Sequence, residues 1–295
     1  MGSQMKTFDP DFLSKLERLA LQNIRPVRGG TGGSRRSRAR GQAIEFSDFR
    51  EYTPGDDYRR IDWNAYARFE RLFIKLYMEE REANVTIFLD TSASMNYGEP
   101  GKGILAKKMA AVFAYIALAN YDRVGIAAVT DTVIHQHPYF SGKAGYARVL
   151  KFLDNLPFEG RTSLNKSIQS FEPLMSRKGI SIVLSDFLAE DGYMDAFHYL
   201  KYQQQDVAAL QILSPEELDP SMSGALRLID METNEHVEVE ITPRTLSLYK
   251  KALNTHMETL RQTCSNLEIA LLQVGSDISL EQLVFEKLQQ TGMIR

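Results

Sequence analysis

An aspartate and two serines, spaced two residues apart, follow an apolar run in the stretch FLDTSASM. Asp90 comes directly after the run VTIFL, and Ser92 and Ser94 lie two and four residues further along. Three roles suit an aspartate in this position: a catalytic nucleophile, a ligand of a metal ion, or a cap at a strand end and the start of a helix. The choice between them depends on the polar residues elsewhere in the chain.

Two later segments supply further oxygen ligands. Asp186 follows the apolar run ISIVL, and the segment EGRTSL carries Thr162 and Ser163 directly before a predicted helix. In a parallel α/β sheet, ligands bind beyond the carboxyl ends of the strands, where the loops converge. Two carboxylates and three or four hydroxyls suit a hard cation such as Mg²⁺, with Mn²⁺ or Ca²⁺ as alternatives. We expect a cation site with one position open for an external oxygen, such as a partner's carboxylate.

Alternating strands and helices would position these residues. The apolar runs predict strands at 85–89, 124–130, 133–137, 180–184, 207–213 and 269–274, and helices at 103–120, 144–155, 164–177, 192–203 and 280–289. This alternation predicts an α/β fold of the Rossmann type, with a mostly parallel sheet and helices on both faces.

The residues before this alternating region form a predicted extension. Asp9-Pro10 begins an amphipathic helix that is expected to reach about residue 23. Residues 25–40 hold six arginines and no acid, which predicts a basic arm without a core of its own. Residues 72–78 alternate as a strand does. We therefore divide the chain into an N-terminal extension, 1–82, and a main domain, 83–295.

An insertion interrupts the alternating pattern after Ser214. The stretch ALRLIDMETNEHVEVEITP predicts a β-hairpin at about 222–242 that turns at Thr233-Asn234. Thr242-Pro243 then begins a long helix.

Composition excludes several classes of protein. The 295 residues are 43% hydrophobic and 25% charged with a net charge of −3, which is ordinary for a globular protein and gives no bulk attraction to nucleic acid. The single cysteine, Cys264, rules out a disulfide framework within the chain, and we expect a reducing, cytoplasmic setting. The longest apolar run, at 109–119, is shorter than the roughly 20 residues that span a bilayer.

The stretch from Asp90 to Ser94 resembles the DxSxS element of the von Willebrand factor A domain. Thr162 is similar to the threonine of that family's second loop, and Asp186 to the aspartate of its third loop; the likeness covers about residues 84–274. The resemblance implies a metal-ion-dependent adhesion site. Its metal ligands would be Asp90, Ser92, Ser94, Thr162 and Asp186, some of them acting through water. Phe187 stands where many A domains have glycine, which restricts the backbone beside Asp186.

More narrowly, the chain resembles bacterial proteins of the domain-of-unknown-function 58 family. The block YTPGDDYRRIDW, residues 52–63, carries this resemblance. Family membership implies a non-enzymatic protein-binding module that works with a MoxR-type AAA+ ATPase in assembly or in a chaperone-like role. Four charged residues of the block are candidates for partner binding: Asp56, Asp57, Arg59 and Arg60. The alternative is structural, with the arginines paired to the block's aspartates and Trp63 packed against the main domain.

Two other functions are alternatives. A phosphohydrolase could use Asp90 as nucleophile, but it would need a general acid two residues later, where this chain has Ser92, a poor proton donor. The P-loop pattern of ATPases does not occur in the sequence. Nucleic-acid binding through the arginine arm is the other alternative, although no aromatic residue is interleaved in the arm. We expect no catalytic residue and no enzymatic activity.

Overall fold

The computed structural model describes residues 8–21, 45–54, 56, 58–78, 83–131, 135–171 and 178–294. The described residues form two compact units, one made of residues 8–21 with 83–294, and the other lying within 45–78. The predicted arginine arm at 25–40 and the last part of the predicted helix at 164–177 lie outside the described residues.

The elements that the sequence predicts follow one another in the predicted order. The strands are β1 (Glu45–Glu51), β2 (Phe73–Met78), β3 (Asn84–Asp90), β4 (Arg123–Val129), β5 (His135–Phe140), β6 (Gly179–Ser185), β7 (Asp206–Leu213), β8 (Gly224–Ile229), β9 (His236–Ile241) and β10 (Ala270–Gly275). The helices are α1 (Pro10–Leu16), α2 (Trp63–Phe69), α3 (Lys102–Ala119), α4 (Tyr146–Asn155), α5 (Leu164–Gln169), α6 (Met194–Tyr202), α7 (Pro215–Leu218), α8 (Pro243–Asn266), α9 (Leu280–Gln282) and α10 (Leu288–Gln290). The structure adds β1, α2 and α7 to the predicted elements.

The central sheet of the larger unit has the strand order β10-β7-β6-β3-β4-β5. Neighbouring strands are parallel from β10 through β4, and β5 pairs antiparallel with β4 at one edge. The prediction of a mixed α/β fold with a mostly parallel sheet is therefore confirmed. Among the described residues, no helix combines the length and the apolar character needed to cross a membrane.

Side chains of β3 show how both faces of this sheet are covered. Val85, Ile87 and Leu89 are buried in one cluster with α3, while Phe88 is buried in a second cluster with residues of α5, α6 and α8. Alternate residues of a strand point to opposite faces, so a strand buried on both sides needs apolar residues throughout. Helix α3 is buried along almost its whole length, which explains why its sequence is apolar all round.

Helix α1 is shorter than the sequence predicts. It begins at Pro10 with Asp9 as N-cap, but it ends at Leu16 and not near residue 23. Leu19 and Leu21 are buried in the core beyond the helix, and Leu21 forms an isolated β-bridge with Ile294. Burial of these leucines by an extended segment overrides the helical periodicity, and it joins α1 to the unit that contains the central sheet.

The smaller unit is a two-stranded sheet with a helix between its strands. Strands β1 and β2 pair antiparallel, which confirms the strand predicted at 72–78. Asp62 caps α2 by accepting hydrogen bonds from the backbone N–H groups of Asn64 and Ala65, at 2.9 and 3.2 Å. Trp63 is 63% exposed on this helix.

The inserted hairpin is present where the sequence predicts it. Strands β8 and β9 pair antiparallel in a two-stranded sheet of their own, and the chain turns between Asp230 and Glu235. Asn234 has a φ of 59°, a conformation that asparagine tolerates in turns. The long helix α8 follows with Thr242 as N-cap, accepting from the N–H of Thr245.

Candidate functional site

Two neighbouring strands bring the candidate residues together. Asp90 is the last residue of β3 and Ser185 the last residue of β6; these strands pair in parallel, with Leu89 opposite Leu184. Their carboxyl ends therefore lie side by side, and the Ser185 hydroxyl donates a hydrogen bond of 2.5 Å to Asp90 Oδ2.

Asp90 is fully buried and receives several hydrogen bonds. The backbone N–H of Ser92 donates to Oδ1 at 3.0 Å, and the Thr162 hydroxyl lies 3.2 Å from the same oxygen. Burial and, to a smaller extent, the nearby carboxylate of Asp186 raise the pKa of Asp90 to about 6, whereas hydrogen bonds from Ser185 and Ser92 act in the opposite direction. The cluster thus holds a buried acid whose ionised form needs positive charge nearby.

The serines extend the cluster to the second aspartate. Ser92 Oγ and Ser94 Oγ lie 2.9 Å apart, and Ser94 Oγ lies 3.4 Å from Asp186 Oδ2. Both serines belong to the short turn that follows β3, where the chain leaves the sheet. The five side chains that the sequence predicts as ligands therefore form one connected group at the carboxyl edge of the sheet.

Backbone hydrogen bonds hold the loop of Thr162 against the loop of Asp90. The N–H of Ala93 donates to Gly160 O at 3.0 Å, and the N–H of Glu159 donates to Thr91 O at 2.9 Å. Gly160 has a φ of 80°, which favours glycine at this position. The loop is consequently fixed at two adjacent residues, Glu159 and Gly160, just before Thr162.

Ser163, the alternative to Thr162, does not reach the cluster. Its hydroxyl donates a 2.6 Å hydrogen bond to Asp191 Oδ2, and Ser163 is the N-cap residue of α5. Of the two hydroxyls, only that of Thr162 has a hydrogen bond to Asp90.

Phe187 occupies the position where many von Willebrand factor A domains have glycine. Its φ is 56°, a left-handed conformation that costs a non-glycine residue about 1–2 kcal/mol. The ring is fully buried, with its centroid 5.7 Å from those of Tyr193 and Phe197. The N–H of Phe187 also donates to Ser185 Oγ at 2.9 Å. Aromatic packing thus holds the backbone beside Asp186 without glycine.

A lysine that the sequence analysis did not consider completes the cluster. Lys102, the first residue of α3, is fully buried, and its Nζ lies 2.7 Å from Asp186 Oδ2 and 2.6 Å from Glu217 Oε1. Burial by itself lowers the pKa of Lys102, but the carboxylates of Asp186 and Glu217 outweigh it and raise this pKa above its ordinary value. Lys102 is therefore a permanent buried cation beside the candidate ligands.

Glu217 is positioned by the N-terminus of the short helix α7. It forms a capping box with Ser214, in which Glu217 Oε2 accepts from the Ser214 N–H at 2.7 Å and Ser214 Oγ accepts from the Glu217 N–H at 3.2 Å. The other carboxylate oxygen is left to bind Lys102.

The inserted hairpin brings a further carboxylate to the cluster. Glu232 Oε1 lies 3.2 Å from the Thr162 hydroxyl, and Glu232 Oε2 accepts a hydrogen bond of 3.3 Å from the Thr162 N–H. The carboxylates of Asp90 and Glu232 thus approach the same hydroxyl group.

Weak local signals mark the residues that the sequence analysis missed. A lysine in the first turn of a helix opposes the helix dipole, so Lys102 is unusual in its position. The pattern Ser-x-x-Glu from Ser214 to Glu217 predicts a capping box. Neither signal indicates a contact with Asp186, which lies 84 residues along the chain from Lys102. Glu232 carries no local signal for its contact with Thr162.

The donor set is suited to a hard cation. Within the described ranges, no group of three or more His, Cys, Asp or Glu side chains is arranged to hold a metal ion. The candidate cluster is of another kind, with two carboxylates and three hydroxyls, all oxygen donors of the type that Mg²⁺ prefers. Three buried or nearly buried carboxylates, those of Asp90, Asp186 and Glu217, belong to this region, and the ammonium of Lys102 pairs with two of them, Asp186 and Glu217. This excess of negative charge fits an additional cation.

Asp56, one of the candidate partner-binding residues, is held by contacts within the smaller unit. Asp56 pairs with Arg50 at 2.7 Å and accepts from the N–H and the hydroxyl of Thr53, each at 2.9 Å. The Thr53 N–H and then Arg50 hold the pKa of Asp56 below its usual range. Arg59 stacks its guanidinium over the ring of Tyr58, with 5.9 Å from Cζ to the centroid. A structural role for Asp56 is thereby identified.

Two of the four candidate partner-binding residues cannot be compared with the structure. Asp57 and the side chain of Arg60 lie outside the described residues. Partner binding by the block stays a prediction.

Comparison with protein families gives one match that covers most of the chain. The model of the family described as "Protein of unknown function DUF58" matches residues 48–259.

Similar sequences of known organisms are themselves without an assigned function. The uncharacterized protein Rv1480 of Mycobacterium tuberculosis and the uncharacterized protein Mb1516 of Mycobacterium bovis are each 24% identical over 274 residues. These alignments cover 91% of this chain and 86% of each relative.

Solved structures with a related architecture include two proteins of low sequence identity. The conserved hypothetical protein BatB from Bacteroides thetaiotaomicron is 17% identical, with a TM-score of 0.42 over 71% of this chain and 98% of that structure. The SpRpn10 VWA domain is 13% identical, with a TM-score of 0.40 over 68% of this chain and 92% of that structure. Both are loose likenesses.

Proposed function

The chain belongs to the family described as "Protein of unknown function DUF58", and we propose that it is a non-enzymatic, metal-dependent protein-interaction module. The candidate site would hold Mg²⁺ or a similar divalent cation and capture an Asp or Glu side chain of a partner protein. The observation that carries this proposal is the convergence of five oxygen-bearing side chains from three separate loops at one edge of the sheet.

The roles of the chain's own residues follow from their contacts. Asp90, with no exposed surface, supplies a buried carboxylate that cannot reach solvent, and Ser185 orients it through Oδ2. Ser92, Ser94 and Thr162 present neutral hydroxyl oxygens, which bind a cation without adding charge. Asp186 is held by Lys102 and by the N–H of Leu188, so we expect it to act through water.

A divalent cation bound there would supply a coordination position for one carboxylate oxygen of the partner. The position two residues after Asp90, where a phosphohydrolase of this type needs its general acid, holds Ser92, whose hydroxyl bonds with that of Ser94. This arrangement supports binding over hydrolysis.

The partner that we propose is a MoxR-type AAA+ ATPase. Resemblance to the family is the support for this choice, and the candidate site supports only the carboxylate chemistry of the contact. An assembly or chaperone-like activity of the pair would follow from ATP use by the partner, because no P-loop pattern occurs in this sequence.

Cation binding is tested by the thermal stability of the purified protein in Mg²⁺, Mn²⁺ and EDTA. A ligand at 100 times its Kd stabilises the folded state by about 2.7 kcal/mol. For a protein of this size we expect Tm to rise by roughly 5–10 °C. Asp90→Asn should remove the rise while leaving the protein folded.

A matched control is available at the other end of the sheet. Asp122 directly precedes the amino end of β4 and is also buried. It accepts a 2.9 Å hydrogen bond from the N–H of Ala83. Asp122→Asn should lower Tm in all three solutions and keep the response to Mg²⁺. If wild-type protein melts at the same temperature in Mg²⁺, Mn²⁺ and EDTA, the proposed cation site is wrong.

Partner capture is tested separately with a purified MoxR-type AAA+ ATPase of the same organism. We expect retention on immobilised wild-type protein in Mg²⁺, loss of retention in EDTA, and loss with Asp90→Asn but not with Asp122→Asn. Equal retention by Asp90→Asn would show that any contact with this ATPase does not use the site.

A further inference from the structure

The tip of the inserted hairpin places a carboxylate against the candidate site. We infer that Glu232 is an internal ligand of this site and that it competes with the partner's carboxylate for the same position. The inference rests on the proposed function and adds a residue and a form of regulation to it. Its starting point is the pair of contacts between Glu232 and Thr162, at 3.2 Å to the hydroxyl and 3.3 Å from the N–H.

The hydroxyl of Thr162 lies close to two carboxylates. It has a single proton to donate, yet three carboxylate oxygens lie within 3.4 Å: Asp90 Oδ1, Asp90 Oδ2 and Glu232 Oε1. At least one of the two carboxylates therefore approaches this hydroxyl without receiving its proton. Two carboxylates that share one neutral group repel each other unless a positive charge lies between them. Lys102 does not fill that role, because its ammonium group pairs with Asp186 and Glu217.

Hydrogen bonds within the turn hold the backbone of Glu232. Asp230 Oδ1 accepts hydrogen bonds from the N–H of Glu232 at 2.8 Å and from the N–H of Thr233 at 2.7 Å. The backbone of Glu232 is thus fixed by its own turn.

The rest of the hairpin is largely exposed. Most residues of β8 and β9 are exposed, and a two-stranded sheet alone is at best marginally stable in water. The hairpin therefore has little core to keep it in one position. Contacts at the tip are well placed to decide whether the hairpin lies against the site or leaves it.

Glu232 competes with external carboxylates because it belongs to the same chain as the site. A ligand on the same chain acts at an effective concentration of about millimolar or more. A carboxylate from outside must exceed this to occupy the position, so isolated carboxylates would bind poorly. A partner that also contacts the exposed strands of the hairpin would displace Glu232 more easily. The hairpin would in this way restrict the site to partners that make both contacts.

The experiment measures Mn²⁺ binding to the full chain by electron paramagnetic resonance, together with the relaxation rate of water protons. Wild type, Glu232→Gln and Glu235→Gln are compared. Glu235 is the matched control, because it is an exposed residue of the same turn and its replacement makes the same change in charge. Asp90→Asn is included to identify the site.

We expect Glu232→Gln to weaken Mn²⁺ binding by about tenfold, the scale seen when a supporting group of a metal site is lost. We also expect the relaxation rate per bound Mn²⁺ to increase, because a water molecule takes the vacated position. Glu235→Gln should match the wild type in both measurements.

The outcomes separate this inference from the proposed function. If wild type binds Mn²⁺, Asp90→Asn does not, and Glu232→Gln equals wild type in affinity and in relaxation, the internal ligand is wrong and the cation site stands. If Glu232→Gln and Glu235→Gln weaken Mn²⁺ binding equally and neither changes the relaxation rate, the effect comes from the loss of one negative charge anywhere in the turn. That result would also overturn the inference. No Mn²⁺ binding by wild type would overturn both proposals.

Discussion

Replacing Lys102 with methionine tests whether the buried ion pairs hold the candidate site together. The side chain of Lys102 has no exposed surface, and those of its partners Asp186 and Glu217 are 3% and 15% exposed. Methionine keeps the length and the apolar stem of lysine but removes the ammonium group. Two nearly buried carboxylates then lose the cation that lies 2.7 and 2.6 Å from them.

The size of the effect follows from burial. Removing one partner of a buried ion pair costs about 3–5 kcal/mol, since the remaining charge is left uncompensated. Asp186 keeps a hydrogen bond from the N–H of Leu188, and Glu217 keeps one from the N–H of Ser214. These bonds favour the lower end of that range. At roughly 2–4 °C per kcal/mol, Tm should fall by about 10 °C.

The assay is urea unfolding and thermal melting in EDTA, with Lys108→Met as control. Lys108 is exposed on the same helix, so its replacement should change stability by about 0.5 kcal/mol or less. In Mg²⁺ the Lys102→Met protein should recover more stability than wild type gains, because Asp186 is then free to bind the cation. A loss for Lys102→Met no larger than that for Lys108→Met would refute this account of the buried pairs.

Two further predictions concern Asp90 and Phe187. The pKa of Asp90 is raised to about 6, so between pH 4 and 6 the folded, metal-free protein keeps a proton that the unfolded chain has lost. The protonated Asp90 therefore contributes most to the free energy of unfolding near pH 4, and this contribution of about 3 kcal/mol is lost as the pH rises through 6. Urea unfolding in EDTA at a series of pH values would measure the loss. The Phe187→Gly protein should be more stable than the Phe187→Ala protein by about 1 kcal/mol, because only glycine adopts a φ of 56° without strain. Both variants should be at least about 2 kcal/mol less stable than wild type, since they lose the buried ring.

Controls for these predictions use the same unfolding assay. Asp90→Asn cannot ionise, so the difference between wild type and this variant isolates the titration of one carboxyl group; parallel pH profiles for the two proteins would contradict the raised pKa. At position 187, alanine equal to or more stable than glycine would show that the backbone there carries no strain.

Local patterns were sufficient to predict the positions of Asp90 and Asp186. Each follows an apolar run that is buried on both faces of the sheet, and β3 and β6 are parallel neighbours. The hairpin and the start of α8 were also predictable, because Thr233-Asn234 and Thr242-Pro243 act through their own backbone. The end of α1 was not, because burial of Leu21 against Ile294 depends on residues at the other end of the chain.

The contacts of the charged residues around the site could not be predicted from the sequence for the same reason. The pair Lys102–Glu217 joins residues 115 positions apart, and the contact from Glu232 to Thr162 joins residues 70 apart. Nothing in the neighbouring residues of either pair indicates its partner. Whether the five predicted residues bind a cation stays a prediction, although their convergence into one cluster is observed.

The hydrogen bond between Ser185 and Asp90 has a consequence for synthesis of the chain. The two residues are 95 positions apart, and a ribosome adds about 5–20 residues per second. For about 5–20 s after Asp90 is made, the growing polypeptide has no β6 against which β3 could complete the edge of the sheet. A nascent chain that ends before β6 lacks both Ser185 and Asp186, so the proposed cation site cannot form until β6 has been made.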